Sequence, residues 1–172
     1  MSAVAEPTRD HAAFRSAMAS VCTPVAVVAA VDGSRAHGTT VSAVMSLSMD
    51  PPMVAVALDN GSELLSIVRE SGTFSVNFLS AEQGSVAMVC AGKGHDKFDG
   101  LDWSLDHGLP RIARASSWIA CEDATFAQGG DHVVVMGEVR AVDQEAVAPL
   151  TYHRREFGTH TSAGNTVGSD VR

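Results

Sequence analysis

Hydrophobic positions along this chain mostly follow the alternating or continuous pattern of strands, and only briefly a helical one. Phe14, Met18 and Val21 recur at helical spacing behind Thr8 or Asp10, either of which suits an N-cap, so a short amphipathic helix is expected there. "PVAVVAAVDGSRAHGTTVSA" reads as two strands joined at Asp32-Gly33, a dipeptide favoured in type I′ hairpin turns, which need positive φ at both central residues. "PPMVAVAL" is a third strand, with its prolines at the start, where a missing N–H does least harm. "SELLSIVRESG" predicts a helix capped by Ser62, with Leu64, Leu65 and Val68 on its apolar face and Gly72 as its stop. "TFSVNFL" alternates, placing Phe74, Val76 and Phe78 on one side of a strand. Ser80 and Gln83 have capping-box spacing at the head of "SAEQGSVAMVCAG", a second such helix. The polar, Gly-rich "GKGHDKFDGLDWS" is expected to be a loop. "SSWIACEDATFAQ" and "HVVVMGEVRAV" are two long strands joined by Gly129-Gly130-Asp131.

The pattern gives six or seven strands, mostly hairpin-linked, with two or three short helices between them. Regular βαβ alternation and a GxGxxG stretch are both missing, which argues against a Rossmann domain. A mainly β fold is expected, an antiparallel barrel with helices at its edges. Its domain spans 9–158, after a flexible lead over 1–8 and before a mobile Gly-, Ser- and Thr-rich tail over 159–172.

Composition narrows the function classes. A chain of 172 residues, 45% hydrophobic and 19% charged, is globular and large enough for a core. Its net charge of -8 disfavours nucleic acid and anionic membranes as partners. Cys22, Cys90 and Cys121 have no CxxC spacing and read as reduced core residues of a cytoplasmic protein. The start does not have the form of a signal peptide, and the apolar run from Pro24 to Val31 is too short to span a bilayer.

The chemistry-bearing stretches are unusual in what they lack. "GTTVSAVMSLSMDPPMV", Gly38 to Val54, gathers Thr39, Thr40, Ser42, Ser46 and Ser48 with no titratable group but Asp50. Such hydroxyls either satisfy a strand edge and turn or form a cradle for a planar polar ring or a phosphate. In "GGDHVVV", His132 is either a rim histidine or a group at the mouth of the barrel oriented by Asp131. Lys93 and Lys97 are local cations of a solvated loop or of a phosphate site. Tyr152, His153, Arg154, Arg155 and Phe157 either pack on the barrel or cover a ligand, in this chain or a neighbouring subunit. Metal-ligand spacing, a GxSxG elbow and a P-loop are not found in the sequence.

Taken in order, "HGTTVSAVMSLSMDPPMVAVAL", "SELLSIVRESGTFSVNFL", "DKFDGLDW", "GGDHVVVMGEV" and "PLTYHRREFG" resemble the short-chain flavin reductases that supply reduced flavin to two-component monooxygenases. The resemblance covers Phe14 to Phe157. It implies a split β-barrel, usually a homodimer, with FMN or FAD near the subunit interface and NADH, or NADPH, as donor. It also implies an NAD(P)H:flavin oxidoreductase partnered by a separate monooxygenase. Hydride passage from nicotinamide to flavin needs no protein acid or base, so such a site is a cradle and not a triad. By resemblance Thr40, Val41, Ser42 and Ala43 line the flavin ring, and Ser46, Leu47 and Ser48 reach its polar edge or its ribityl and phosphate side. Asp59 and Ser62 meet its tail, Lys97 and Phe98 hold its phosphate, and His132 helps place the nicotinamide. Ser42 stands where many relatives have Asn. The alternative is a non-catalytic flavin or haem binder on the same barrel.

Overall fold

The computed structural model describes residues 10–94 and 96–162. The lead over 1–8 and the tail beyond 162 therefore lie outside the described residues. The first helix, α1 (His11–Ala19), is capped by Asp10, whose carboxylate accepts from the N–H groups of Ala12 and Ala13. Its apolar stripe does not enter the core: Phe14, Met18 and Val21 are 66%, 51% and 48% exposed.

Next come β1 (Thr23–Pro24), β2 (Ala26–Asp32), β3 (Arg35–Val41), β4 (Val44–Met49), β5 (Pro52–Asp59), α2 (Glu63–Ser71), β6 (Phe74–Phe78) and α3 (Gly84–Ala91). A short hairpin, β7 (Trp103–Asp106) and β8 (Leu109–Ile112), precedes the long pair β9 (Ser117–Gly129) and β10 (His132–Gln144). The last hairpin is β11 (Leu150–His153) and β12 (Glu156–Thr159).

Five sequence expectations are corrected. The β2–β3 turn is centred on Gly33 and Ser34, one residue later than expected, and of these only Gly33 has positive φ, 60°. The supposed loop over 92–104 runs into β7, whose hairpin closes at His107 and Gly108, both at positive φ (50° and 76°). Ser62 occupies the N-cap of α2 but makes no side-chain capping bond, and Gln83, not Ser80, is the N-cap of α3. Half of the capping box survives, because Gln83 Oε1 accepts from the Ser80 N–H at 2.9 Å. Finally, Cys90 and Cys121 are buried but Cys22 is exposed, just past α1.

Seven strands form one antiparallel sheet in the order β3-β2-β6-β9-β10-β5-β4. Its two edges, β3 and β4, are consecutive in the chain and separated only by Ser42 and Ala43. Three Cα steps span at most about 11 Å, so the sheet must curl until its ends almost meet. The Ala57 N–H donates to the Ala43 carbonyl, which carries the β4–β5 ladder one residue further, up to the crossing itself. The result is the antiparallel split β-barrel with helices at its edges: the covalent crossing brings the edges together, and ladder hydrogen bonds do not close it.

Burial on both faces explains the continuous apolar run of β2. Ala26, Val28 and Ala30 face a core with Val56, Phe74 and α2 residues Leu64 and Val68. Val27 and Ala29 face a second core with Leu79, Ala87, Cys90, Phe98 and Leu150. On β6, Ser75 and Asn77 are buried but satisfied: Ser75 Oγ and Asn77 Nδ2 donate to the Pro110 carbonyl, and Asn77 Oδ1 accepts from the Ile112 N–H. These bonds dock β8 on the outside of the sheet.

Candidate functional site

The chain crossing at 40–43 lies among three hollows. The largest, about 600 Å³, is walled by β3 through His37, Thr39, Thr40 and Val41, and by the end of β5 through Ala57, Leu58 and Asp59. Gly61, Ser62 and Glu63 bring the N-terminus of α2 to it, and Lys93 and Lys97 come from the segment after α3. His132 closes one side. The register explains that placement, since His132 lies opposite Asp59 in the β10–β5 ladder. A second hollow, about 210 Å³, lies between Thr40, Val41, Ser42, Met88, Tyr152 and Phe157. A third, about 250 Å³, is bounded by Ser42, Ala43, Met45 and Val134 among others.

Much of the polar chemistry around the main cavity is already committed. Thr40 Oγ1 donates to the Ala87 carbonyl at 2.7 Å. Lys97 Nζ donates at 3.1 Å both to the Gly38 carbonyl and to the Cys90 carbonyl. Cys90 belongs to the last turn of α3, where carbonyls have no helical partner and carry the negative end of the helix dipole, and Ala87 stands just before that turn. Two sequence candidates thus fasten α3 to β3, and Lys97 keeps one of its three donors. Asp59 Oδ1 accepts from the Gly61 N–H at 2.7 Å, shaping the loop into α2. Glu63 is engaged by Arg35 at 2.8 Å and lies 3.9 Å from His37 Nε2.

His132 is half-exposed, and its Nδ1 lies 2.8 Å from Asp131 Oδ1. The hydrogen bond with His132 holds the Asp131 carboxyl below its ordinary range. An ionised carboxylate only accepts, so the proton between them belongs to Nδ1, which leaves Nε2 for a ligand.

Of the sequence candidates, Thr40, Val41, Asp59, Ser62, Lys97 and His132 meet at the main cavity, with Thr39 and Lys93. Ser42 and Ala43 line the flanking hollows. Phe98 is buried beneath β3, edge-on to Trp103 with ring centroids 5.3 Å apart. Ser46, Leu47 and Ser48 belong to β4 and line none of the three hollows; Leu47 is the bulged residue, since Ser46 pairs with Val54 and Ser48 with Met53. His153, Arg154 and Arg155 are exposed at the β11–β12 turn, where the Arg154 N–H donates to the Ala19 carbonyl. His37 and Glu63 were not anticipated. Two-residue periodicity back from Thr39 points to His37.

A family model described as the flavin reductase like domain matches residues 18–161. The chain belongs to that family. The reductase is 35% identical to the NADH:riboflavin 5'-phosphate oxidoreductase of Streptomyces pristinaespiralis, over 91% of this chain and 92% of that protein. It is 34% identical to the reductase component of a 4-nitrophenol 4-monooxygenase/4-nitrocatechol 2-monooxygenase from Rhodococcus opacus, over 87% of this chain and 80% of that one. Among solved structures, the NADH:FAD oxidoreductase of Streptomyces globisporus C-1027 in complex with NAD and FAD fragments matches with a TM-score of 0.85 and 28% identity, over 95% of this chain and 100% of that one. Membership makes the protein an oxidoreductase of the flavin reductase type with the split-barrel fold.

Proposed function

We propose that this reductase passes two electrons, as hydride, from NADH, with NADPH as a possible second donor, to FMN or FAD and releases the reduced flavin to a separate monooxygenase. The carrying observation is the convergence of Thr40, Val41, Asp59, Ser62, Lys97 and His132 on one cavity of about 600 Å³. The activities of the relatives, among them a monooxygenase reductase component, support the same reading.

The donor set fits a flavin nucleotide. In a chain of net charge -8, Lys93 and Lys97 bring positive charge to the cavity, and the N-terminus of α2 beside Ser62 suits a phosphate. Bound flavin supplies the redox chemistry, and the protein supplies place and polarity. Thr40 has given its hydrogen to Ala87, so it offers a ligand only lone pairs. Val41, Ser42 and Ala43 present small surfaces to the ring. Asp59 shapes the tail-side loop, Lys97 offers its remaining donor to the phosphate, and Phe98 supports Lys97 from beneath. His132, its Nδ1–H held by Asp131, offers Nε2 as an acceptor to the nicotinamide carboxamide. Hydroxyls and backbone groups bind less tightly than charge-assisted clamps, consistent with release of the product.

A homodimer completes this reading. Met45, Met88, Tyr152 and Phe157 are exposed apolar groups around the crossing, a surface that fits a second copy. Ser46, Leu47 and Ser48 then meet the flavin across the interface. Three free thiols accord with the cytoplasm, and among the described residues no helix is long and apolar enough to cross a membrane. The test is His132→Ala, which should slow nicotinamide turnover more than it weakens flavin binding. An unchanged rate would remove His132 from the site.

A further inference from the structure

The histidine sits next to a two-residue hairpin tip, Gly130–Asp131, with Gly130 at a φ of 70°. Exposed tips of this kind are ordinarily among the least restrained parts of a fold. This one is held by two side chains that line no part of the cavity, Gln128 and Asn60. Gln128 Nε2 lies 2.8 Å from the Gly130 carbonyl, 3.3 Å from the His132 carbonyl and 3.1 Å from Asn60 Oδ1. Asn60 Nδ2 donates to the Gly130 carbonyl at 3.2 Å, and the Asn60 N–H to the Asp131 carbonyl at 3.0 Å. The orientation of both amides is determined by chemistry. Backbone carbonyls only accept, so each must face an NH₂, and Asn60 is left presenting its oxygen to Gln128.

We propose that Gln128 and Asn60 form a clamp that positions His132, making Gln128 a positioning residue for the nicotinamide end of the site. The proposal rests on the reading of His132 given above. Asn60 lies between Asp59 and Gly61, which wall the cavity on the flavin-tail side. The clamp therefore joins the tail-side loop to the turn bearing Asp131 and His132. Without it the β5–β10 ladder still forms, but the tip beyond Gly129 keeps only its hairpin closure and the single backbone bond from the Asn60 N–H to the Asp131 carbonyl. The imidazole would then sample positions in which Nε2 misses its partner, and small misplacements of a positioning group are costly in turnover.

Two variants and two kinds of readout test this. Gln128→Leu keeps the bulk and removes the donors. Asn60→Asp keeps an acceptor for Gln128 and removes the donor to Gly130. Residue-resolved hydrogen exchange on the free protein should show the Asn60 amide exchanging about tenfold faster in Gln128→Leu, the scale of one lost neutral hydrogen bond, and less so in Asn60→Asp. In steady state, Gln128→Leu should raise the KM for NADH about tenfold, with flavin Kd and melting temperature close to wild type. Wild-type exchange at Asn60, or an unchanged KM while His132→Ala is impaired, overturns the clamp. If His132→Ala is itself unimpaired, the reading of His132 fails instead. A fall in melting temperature and flavin affinity with no change in KM assigns Gln128 a structural role only and also overturns it.

Discussion

Gly38→Ala probes the link between the core and the cavity. A Cβ built at Gly38 would lie 2.8 Å from Phe98 Cε2, 3.0 Å from the Val28 carbonyl oxygen and 3.1 Å from Val27 Cγ1. The carbonyl belongs to the neighbouring strand, paired in register with β3, and cannot withdraw without breaking the ladder. The ring must move, and reaching ordinary contact near 3.4 Å takes at least about 0.6 Å. Overpacking of this kind costs about 1–3 kcal/mol. For a chain of this size each kcal/mol lowers the melting temperature by roughly 2–4 °C, so a fall of about 2–12 °C is expected. Lys97 adjoins the displaced ring, and its Nζ contacts the Gly38 carbonyl itself. Flavin binding, followed by quenching of flavin fluorescence, should therefore weaken alongside stability. Phe98→Leu in the Gly38→Ala background should recover part of the loss. A Gly38→Ala protein with wild-type melting and wild-type flavin Kd would refute the packing argument and the place given to Lys97.

Other consequences are separable. Gly137→Ala places a Cβ 2.6 Å from Phe74 Cε1 and 2.9 Å from Cys121 Cβ, so thermal unfolding should show a loss of about 1–3 kcal/mol or more without a specific effect on KM; a neutral substitution contradicts the core described for β9 and β10. Burial pushes the Cys90 and Cys121 thiols up to about 11 and about 12, so at pH 8 an alkylating reagent should label Cys22 quickly and the other two only after denaturation. Mass spectrometry showing three equal rates would refute this. The hydrogen bond from Arg111, then that from the Gln144 N–H, holds the Asp143 carboxyl below its ordinary range. Because the folded pKa is depressed, this contribution is fully present above the unfolded value of about 3.9 and is lost as pH falls through the folded value. Asp143→Asn should therefore melt below wild type at pH 7, with the gap narrowing in acid; a gap independent of pH contradicts the pairing.

The long elements were legible in the sequence because a single rule governs each. Continuous apolar β2, alternating β6, and α2 with its Gly72 stop at a φ of 70° are local patterns that tertiary packing reinforces. The tight hairpins at His107-Gly108 and Arg154-Arg155 were not legible, since three of their four central residues are non-glycine at positive φ and only the surrounding fold holds them there. The hydroxyl-rich segment was recognisable as a candidate, but its geometry was not. That β3 and β4 are opposite edges of one sheet depends on the pairing of β5 with β10, which no local pattern encodes. Phe98 shows the limit of reading a motif: its neighbour Lys97 reaches the cavity, while Phe98 turns into the core beneath Gly38. The stripe of α1 was legible as a pattern, but its exposure was not, because periodicity marks an apolar face without saying what covers it.

The most direct measurement follows nicotinamide absorbance when the purified protein and NADH are mixed with FMN or FAD in separate cuvettes, with NADPH tried in place of NADH. Rapid oxidation that requires added flavin is the expected result, and it identifies the flavin and the donor together. No oxidation with any pairing, from protein whose melting temperature rises when flavin binds, would contradict the reductase and leave a flavin binder on the same barrel.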